Sequence, residues 1–426
     1  MFLRKIIIAC LLLCMANFSY AQADKALNAA AAKRILSYLA SDEMRGRKTG
    51  SPEIDKAADF IADEFKKAGL KTFPGLQTFK QSFSNVRTKF ISAAGNIDGA
   101  NTESANIIAY TTDSLLKINE RSGFSKLVIS NTDNLLTRAG DILKEKKNYL
   151  VIVPGFFSGD FNKLKRFKRD GAKNNFSVVF VLTDAKADQY DLEVRHLLTE
   201  TVYTNIVGLL PGKSKKDEFV VFSGHYDHLG VSKPNAAGDS IYNGANDDAA
   251  GTTAVIMLAD HFAKLKNNER SLLFVAFTAE EIGGFGSKYF SNHIDADKVT
   301  AMFNLEMIGT ESKWGTNSAY ITGYERSDFG KILQQNLKGT AFHFEPDPYP
   351  TQNLFYRSDN ATLAALGVPA HSISTSKMDA ELNYHKQSDE VSTLDLDNMT
   401  EVIKAIALSS KTIISGKDTP TRLEKK

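Results

Sequence analysis

The chain has 426 residues, 42% of them hydrophobic and 24% charged, and its 52 basic and 50 acidic side chains leave a formal net charge of +2. This is the composition of an ordinary folded protein and excludes disordered, collagen-like and supercharged classes. Near-balanced charge gives no electrostatic footprint for nucleic acid or a membrane surface, and the length predicts one large domain with an insertion, or two domains.

Arg4 and Lys5 precede an apolar run from Ile6 to Met15, and Ser19-Tyr20-Ala21 offers a small-x-small exit before Gln22. This pattern predicts a signal peptide over residues 1–21 and hence an exported protein, periplasmic or extracellular. The run is shorter than the roughly 20 residues that span a bilayer, so no membrane insertion of the mature chain is expected. Both cysteines, Cys10 and Cys14, lie inside it. The rest of the chain therefore has no thiol for a disulfide or a metal, and a zinc site there must use His, Asp and Glu.

Residues 22–84 are expected to form the N-terminal part of a catalytic domain. Ser51 is a suitable helix cap and Pro52 suits the first helical position. Ile54, Ala57, Ala58, Ile61, Phe65 and Ala68 recur at helical spacing before Gly69. The Met44–Gly50 segment is basic and punctuated by glycine, and is read as a solvated loop. Residues 85–200 contain strand-like runs, Tyr149 to Val153 and Ser177 to Leu182, around a Lys-rich stretch from Lys163 to Lys173. They are read as an inserted domain or lobe, and the basic stretch as a solvated helix face.

Residues 201–415 are expected to form the main part of the catalytic domain. Phe219 to Phe222, Leu272 to Phe277, Ala301 to Leu305 and His371 to Ile373 read as buried strands, alternating with helices over Ala249 to Leu265 and Leu396 to Ile414. Such alternation predicts an α/β fold with a mostly parallel, mixed sheet sandwiched by helices. The polar residues 416–426 are expected to be a disordered tail.

Several catalytic signatures are absent. There is no His-Glu-x-x-His motif and no Gly-x-Ser-x-Gly elbow. Gly208 to Ser214 is one residue short of a phosphate loop and carries Pro211, so it reads as a turn between strands. What remains is a set of acidic and His residues just where strands end. His225-Tyr226-Asp227-His228 follows one strand, Glu280-Glu281 another and Glu306 a third. Tyr384-His385 follows the last, and Gly244 to Gly251, with Asn246-Asp247-Asp248, opens a helix. Ligands gather at the carboxyl ends of strands in open α/β sheets. Carboxylates and imidazoles converging there need a cation to neutralise them. His196, His261, His293, His343 and His371 have no such company and are read as structural, and His228 as a possible turn cap.

These segments, in this order, resemble the zinc-dependent exopeptidases that include bacterial leucine aminopeptidases and glutamate carboxypeptidase-like enzymes. The matching stretches are Gly224 to Asp227, Asn243 to Gly251, Thr278 to Glu281, Asn304 to Gly309 and Tyr384-His385. The resemblance implies a phosphorylase/hydrolase-like zinc exopeptidase architecture and a cofactor of two Zn2+ ions. It implies His225 and Glu306 as ligands of one ion, Asp247 as the bridge, and Glu281 and His385 as ligands of the other. It implies Glu280 as general base to a metal-activated water, Tyr384 as a hydrogen-bond donor to the developing oxyanion, and Asp227 and Asp248 as residues behind the ligands. A non-proline cis peptide between Asp247 and Asp248 is implied as well. Glu306 departs from the Asp usual in the family, and Ser358-Asp359-Asn360 departs from Ser-Asp-His, with Asp359 and Asn360 read as pocket-shaping or structural. The expected activity is release of a terminal residue from a peptide substrate, with an aminopeptidase favoured. A carboxypeptidase or dipeptidase of the same family, a single-zinc glutaminyl cyclase and a non-catalytic binding protein on the same fold remain as alternatives. No nucleic-acid partner is expected, and the sequence is silent on oligomeric state.

Overall fold

The computed structural model describes residues 26–167 and 171–426, so the expected signal peptide, with both cysteines, lies outside the described residues. Among the described residues no helix is long and apolar enough to cross a membrane. The chain divides into two compact units, one built from the N-terminal residues to Ser82 together with Tyr203–Lys426, the other from Phe83–Val202.

The first unit is a mixed α/β sandwich. Its strands are β1 (Tyr190–Leu210, of which residues 203–210 belong here), β2 (Lys215–His225), β3 (Arg270–Phe277), β4 (Val299–Leu305), β5 (Ser318–Ile321), β6 (His343–Pro346) and β7 (Ala370–Ser374). They lie in the order β6-β5-β7-β4-β2-β3-β1. β2 runs parallel to both β3 and β4, and β4 parallel to β7. β1 closes one side antiparallel to β3. All residues of β3, β4 and β7 are buried, because a sheet covered on both faces leaves no solvent side. That is why these strands read as continuous apolar runs rather than alternating ones.

The helices α1 (Ala29–Leu39), α2 (Pro52–Lys67), α3 (Gly251–Leu265) and α4 (Leu396–Ser409) supply one covering layer. Ser51 caps α2, its side chain accepting the N–H of Ile54, with Pro52 in the first turn. Ile35, Ile61, Phe65, Val255, Phe262 and Ile406 pack with Phe222, Phe274 and Phe303 of the sheet in one core. Phe222 stacks between Phe274 and Phe303 at ring-centroid separations of 5.6 and 4.8 Å. This core fixes the central strands and therefore the positions of their C-terminal ends.

Two expectations are corrected here. The Met44–Gly50 loop is solvated only in part: Arg45, Lys48 and Gly50 are exposed, but Arg47 is fully buried. Its Nε donates to the Tyr226 carbonyl at 2.8 Å, Nη1 to that of Asn243 at 2.7 Å and Nη2 to that of Gly244 at 2.9 Å. Burial pulls its pKa down, to about 10, so it stays charged. Residues 416–426 are not a disordered tail. Asp418 and Thr419 accept from the buried Arg270, and the Arg422 guanidinium donates to the carbonyls of Ala296 and Val299. The Leu423 N–H bonds to the Gly367 carbonyl. Polar residues suited to solvent serve equally well as hydrogen-bond partners for loop ends.

The second unit has its own four-stranded sheet, ordered Ile107–Tyr110, Val178–Leu182, Tyr149–Val153 and Ser125–Val128. The helix Leu135–Lys144 packs Leu135, Ala139 and Ile142 against Val151, Val153 and Phe180. The Lys-rich stretch begins in a 3-10 turn, Phe161–Arg166, that buries Phe161 and Leu164 while its basic side chains stay outside.

Candidate metal centre

The central strands deliver their acidic and imidazole side chains to one end of the sheet. His225 is the last residue of β2, with Asp227 and His228 just beyond. Glu280 and Glu281 follow β3, Glu306 follows β4, and Tyr384-His385 lies on the segment after β7. Asp247 sits in the turn that leads into α3, and the bond from Asp247 to Asp248 is cis. Ala279, Met307 and His385 take positive φ of 60°, 51° and 56°. Such non-glycine conformations cost about 1–3 kcal/mol each and persist where the surroundings over-determine them. Here each sits beside or within the acidic cluster.

Asp247 stands at the centre. Its Oδ1 lies 3.2 Å from His225 Nε2, which is itself 3.6 Å from Glu306 Oε1. Its Oδ2 lies 3.2 Å from His385 Nε2, which is 3.1 Å from Glu281 Oε2. The two oxygens of one carboxylate thus face two separate ligand groups. His225, Asp247 and Glu306 form a triad able to hold a cation, and so do His228, Asp247 and Glu281.

The cluster fits such ions on two physical grounds. The buried His228 Nδ1 lies 2.7 Å from Glu281 Oε1, yet neither atom makes a hydrogen bond. Lone pairs this close and this badly angled suit a shared cation better than each other. The protonation pattern agrees. The Asp247 and Glu281 hydrogen bonds push His385 up to about 10. Burial works against a charged His225, but the Glu306 charge and the Asp247 bond lift it well above its ordinary value. Asp247 is held far below the usual carboxylate range, its burial outweighed by those imidazoles. Carboxylates and imidazoles so placed call for positive charge between them. All-nitrogen and oxygen donors of this kind suit zinc.

Behind the ligands, the structure refines one expectation and adds partners. His225 Nδ1 is held by the backbone carbonyl of Asp227 at 3.0 Å, while the Asp227 carboxylate is 3.8 Å away. That carboxylate instead accepts the N–H groups of Glu280 at 3.1 Å and Glu281 at 3.4 Å, and the hydroxyl of Thr49 at 3.0 Å. Asp248 accepts from the N–H groups of His225, Gly251 and Met307, tying β2, α3 and the end of β4 together. Glu306 Oε2 accepts the Ser358 hydroxyl at 2.6 Å, and Asn304 donates to Ser358. Asn360 donates to the carbonyls of Phe355 and Ala370, and burial pushes the Asp359 carboxyl up to about 7.

Sequence reasoning missed Asp389, Thr49, Arg47 and the place of His228 in the acidic cluster. Asp389 accepts the N–H of Asn246 at 2.8 Å and of Asp247 at 3.0 Å, holding the bridging residue from below. None of these has a local signature. His228 alone offered a hint, since it stands three residues past His225 on the same strand end.

Glu280 is not in either ligand triad. Burial pushes its carboxyl well above the ordinary range, and it feels the charges of His225, Asp359 and Glu306. Tyr384 stacks on His385 with ring centroids 4.0 Å apart, and burial lifts its phenol to about 12. Tyr384 also lines a small pocket of about 50 Å³ beside Glu306, shared with Tyr320, Leu354, Met378 and Arg357.

Residues 205–409 match the family described as Peptidase family M28. Over these residues, just under half of the chain, the sequence is similar to that family of peptidases. Aminopeptidase YwaD of Bacillus subtilis (strain 168) is 30% identical over 116 residues, 26% of this chain and 23% of that relative. The chain thus aligns with less than a quarter of that relative's length. Leucine aminopeptidase 1 of Trichophyton rubrum is 24% identical over 58% of this chain and 70% of its own length. Among solved structures, the aminopeptidase from Aneurinibacillus sp. strain AM-1 superposes with a TM-score of 0.53 at 18% identity, covering 94% of this chain and 96% of that one. At that identity the likeness speaks for the fold.

Proposed function

We propose that this chain is an exported two-zinc aminopeptidase of the M28 kind with Glu280 as its general base. The observation that carries the reading is the bridging posture of Asp247, whose Oδ1 and Oδ2 face different ligand groups. His225, Asp247 and Glu306 would hold one ion, and Asp247, Glu281 and His385 the other. Zinc, when bound, supplies Lewis acidity and brings the pKa of water toward about 7.

The chain's own residues do the rest. Glu280, a buried carboxyl made more basic than an ordinary carboxylate by its burial, takes the proton of the attacking water and returns it to the leaving amine. The Tyr384 phenol, protonated at neutral pH, donates to the oxygen that becomes negative. The pocket beside Glu306 receives the terminal side chain. An aminopeptidase is favoured over a carboxypeptidase by the names of the relatives. Export rests on the residues 1–21 pattern.

The test is amino-acid release from matched peptides with free and acetylated N-termini, with and without chelator. Chelator-sensitive release from free N-termini alone is expected. Release from acetylated peptides would move the assignment to a carboxypeptidase.

A further inference from the structure

We infer that His228 is a direct ligand of the ion that Asp247, Glu281 and His385 hold, so that the two ions differ in imidazole content. The inference rests on the two-zinc reading above. The His228 side chain is wholly buried, and its Nδ1 lies 2.7 Å from Glu281 Oε1 and 3.9 Å from Asp247 Oδ2. Its ring stands edge-on to that of His385, with centroids 5.8 Å apart. The short contact with Glu281 does not meet hydrogen-bond geometry, and both His228 ring nitrogens lack a partner that does. Leaving a buried polar atom unsatisfied costs about 1–3 kcal/mol, so such atoms call for an explanation. A cation between Nδ1 and the two carboxylates supplies one.

The ring is placed there by construction. The His228 N–H bonds to the Arg47 carbonyl. The Arg47 guanidinium in turn holds the carbonyl of Gly244. Gly244 has φ of +58°, and a Cβ there would approach His228 Cγ to 2.5 Å. A glycine is therefore required for the imidazole to enter.

Zinc K-edge X-ray absorption on the full chain loaded with two zinc equivalents reads the imidazole count. Three imidazoles per pair of ions (His225, His228 and His385) are expected, falling to two in His228→Ala. Competition titration of His228→Ala should show one ion bound more than 100-fold more weakly and the other unchanged. Loss of an outer partner typically costs about 10–100-fold. Because His228→Ala could lose its fold, the wild-type count decides independently. Two imidazoles in the wild type with two zinc ions bound would overturn the role of His228 and leave the two-zinc reading intact. A wild type that binds fewer than two zinc ions would overturn that reading as well.

Discussion

The carboxylate of Asp227 accepts the backbone N–H of Glu280 at 3.1 Å. Besides its 3.8 Å approach to His225, the Asp227 side chain sets the turn carrying the proposed base and, through the Glu281 N–H, one proposed ligand. Its own pKa is raised by burial, against the pull of His225. Replacement by Asn keeps the volume and loses the charged acceptor. For Asp227→Asn we expect kcat to fall by roughly 10–100-fold, together with a drop in zinc affinity of similar size. Steady-state kinetics and a zinc competition titration check this; a variant with unchanged kcat would separate Asp227 from Glu280.

Glu280 itself makes a sharper prediction. Glu280→Gln preserves shape and removes the proton acceptor, so kcat should fall by about 100- to 10,000-fold. Zinc stoichiometry should not change, because Glu280 belongs to neither ligand triad. Metal analysis of the variant beside its kinetics reads both. Loss of an ion would recast Glu280 as a ligand.

Glu306 stands where the sequence resemblance implies an Asp. Its extra methylene is used: Oε2 takes the Ser358 hydroxyl at 2.6 Å while Oε1 stays 3.6 Å from His225. A shorter side chain loses one of these contacts. Glu306→Asp should thus weaken one ion by roughly 10-fold rather than strengthen it, and Ser358→Ala should do the same to a smaller degree. Zinc titration of both variants is the check, and tighter binding by Glu306→Asp would refute the argument.

Much of this was legible in the sequence. β3 and β4 are covered on both faces, so their apolar runs announced strands, and the charged residues after Phe277 and Leu305 announced a site at their ends. The rest depends on contacts across great sequence distance. Arg47 reaches Tyr226, Asn243 and Gly244, and Asp389 reaches Asn246 and Asp247. In sequence Arg47 is one cation in a basic loop and Asp389 one acid in a polar stretch. Only the fold turns them inward. The tail misled for the same reason, since nothing local reveals that Arg270 and Arg422 anchor it.

His371 gives a pH prediction independent of metal. It is buried on β7, stacked on Phe329, with Nδ1 2.8 Å from the Thr322 carbonyl and Nε2 2.8 Å from the Ser327 hydroxyl. Burial lowers its pKa to about 4. Unfolded, it protonates near pH 6.5. The unfolded chain thus binds more protons between pH 6.5 and 4. The neutral His371 contribution is complete above pH 6.5 and is lost as pH falls toward 4, to a total of about 3 kcal/mol. Denaturant unfolding across this window should show a smaller slope of stability with pH in His371→Asn than in the wild type. Equal slopes would show that His371 does not carry this dependence.

The central claim is that one carboxylate, Asp247, joins two catalytic zinc sites. Its most direct test is to strip the metal, add zinc stepwise, and follow residue release from a free-N-terminus peptide against equivalents bound. We predict no release without metal, activity that saturates at two equivalents, and loss of both ions in Asp247→Ala. Full activity at one equivalent, or release by the metal-free protein, would contradict the account, and the first outcome would favour a single-zinc chemistry on the same fold.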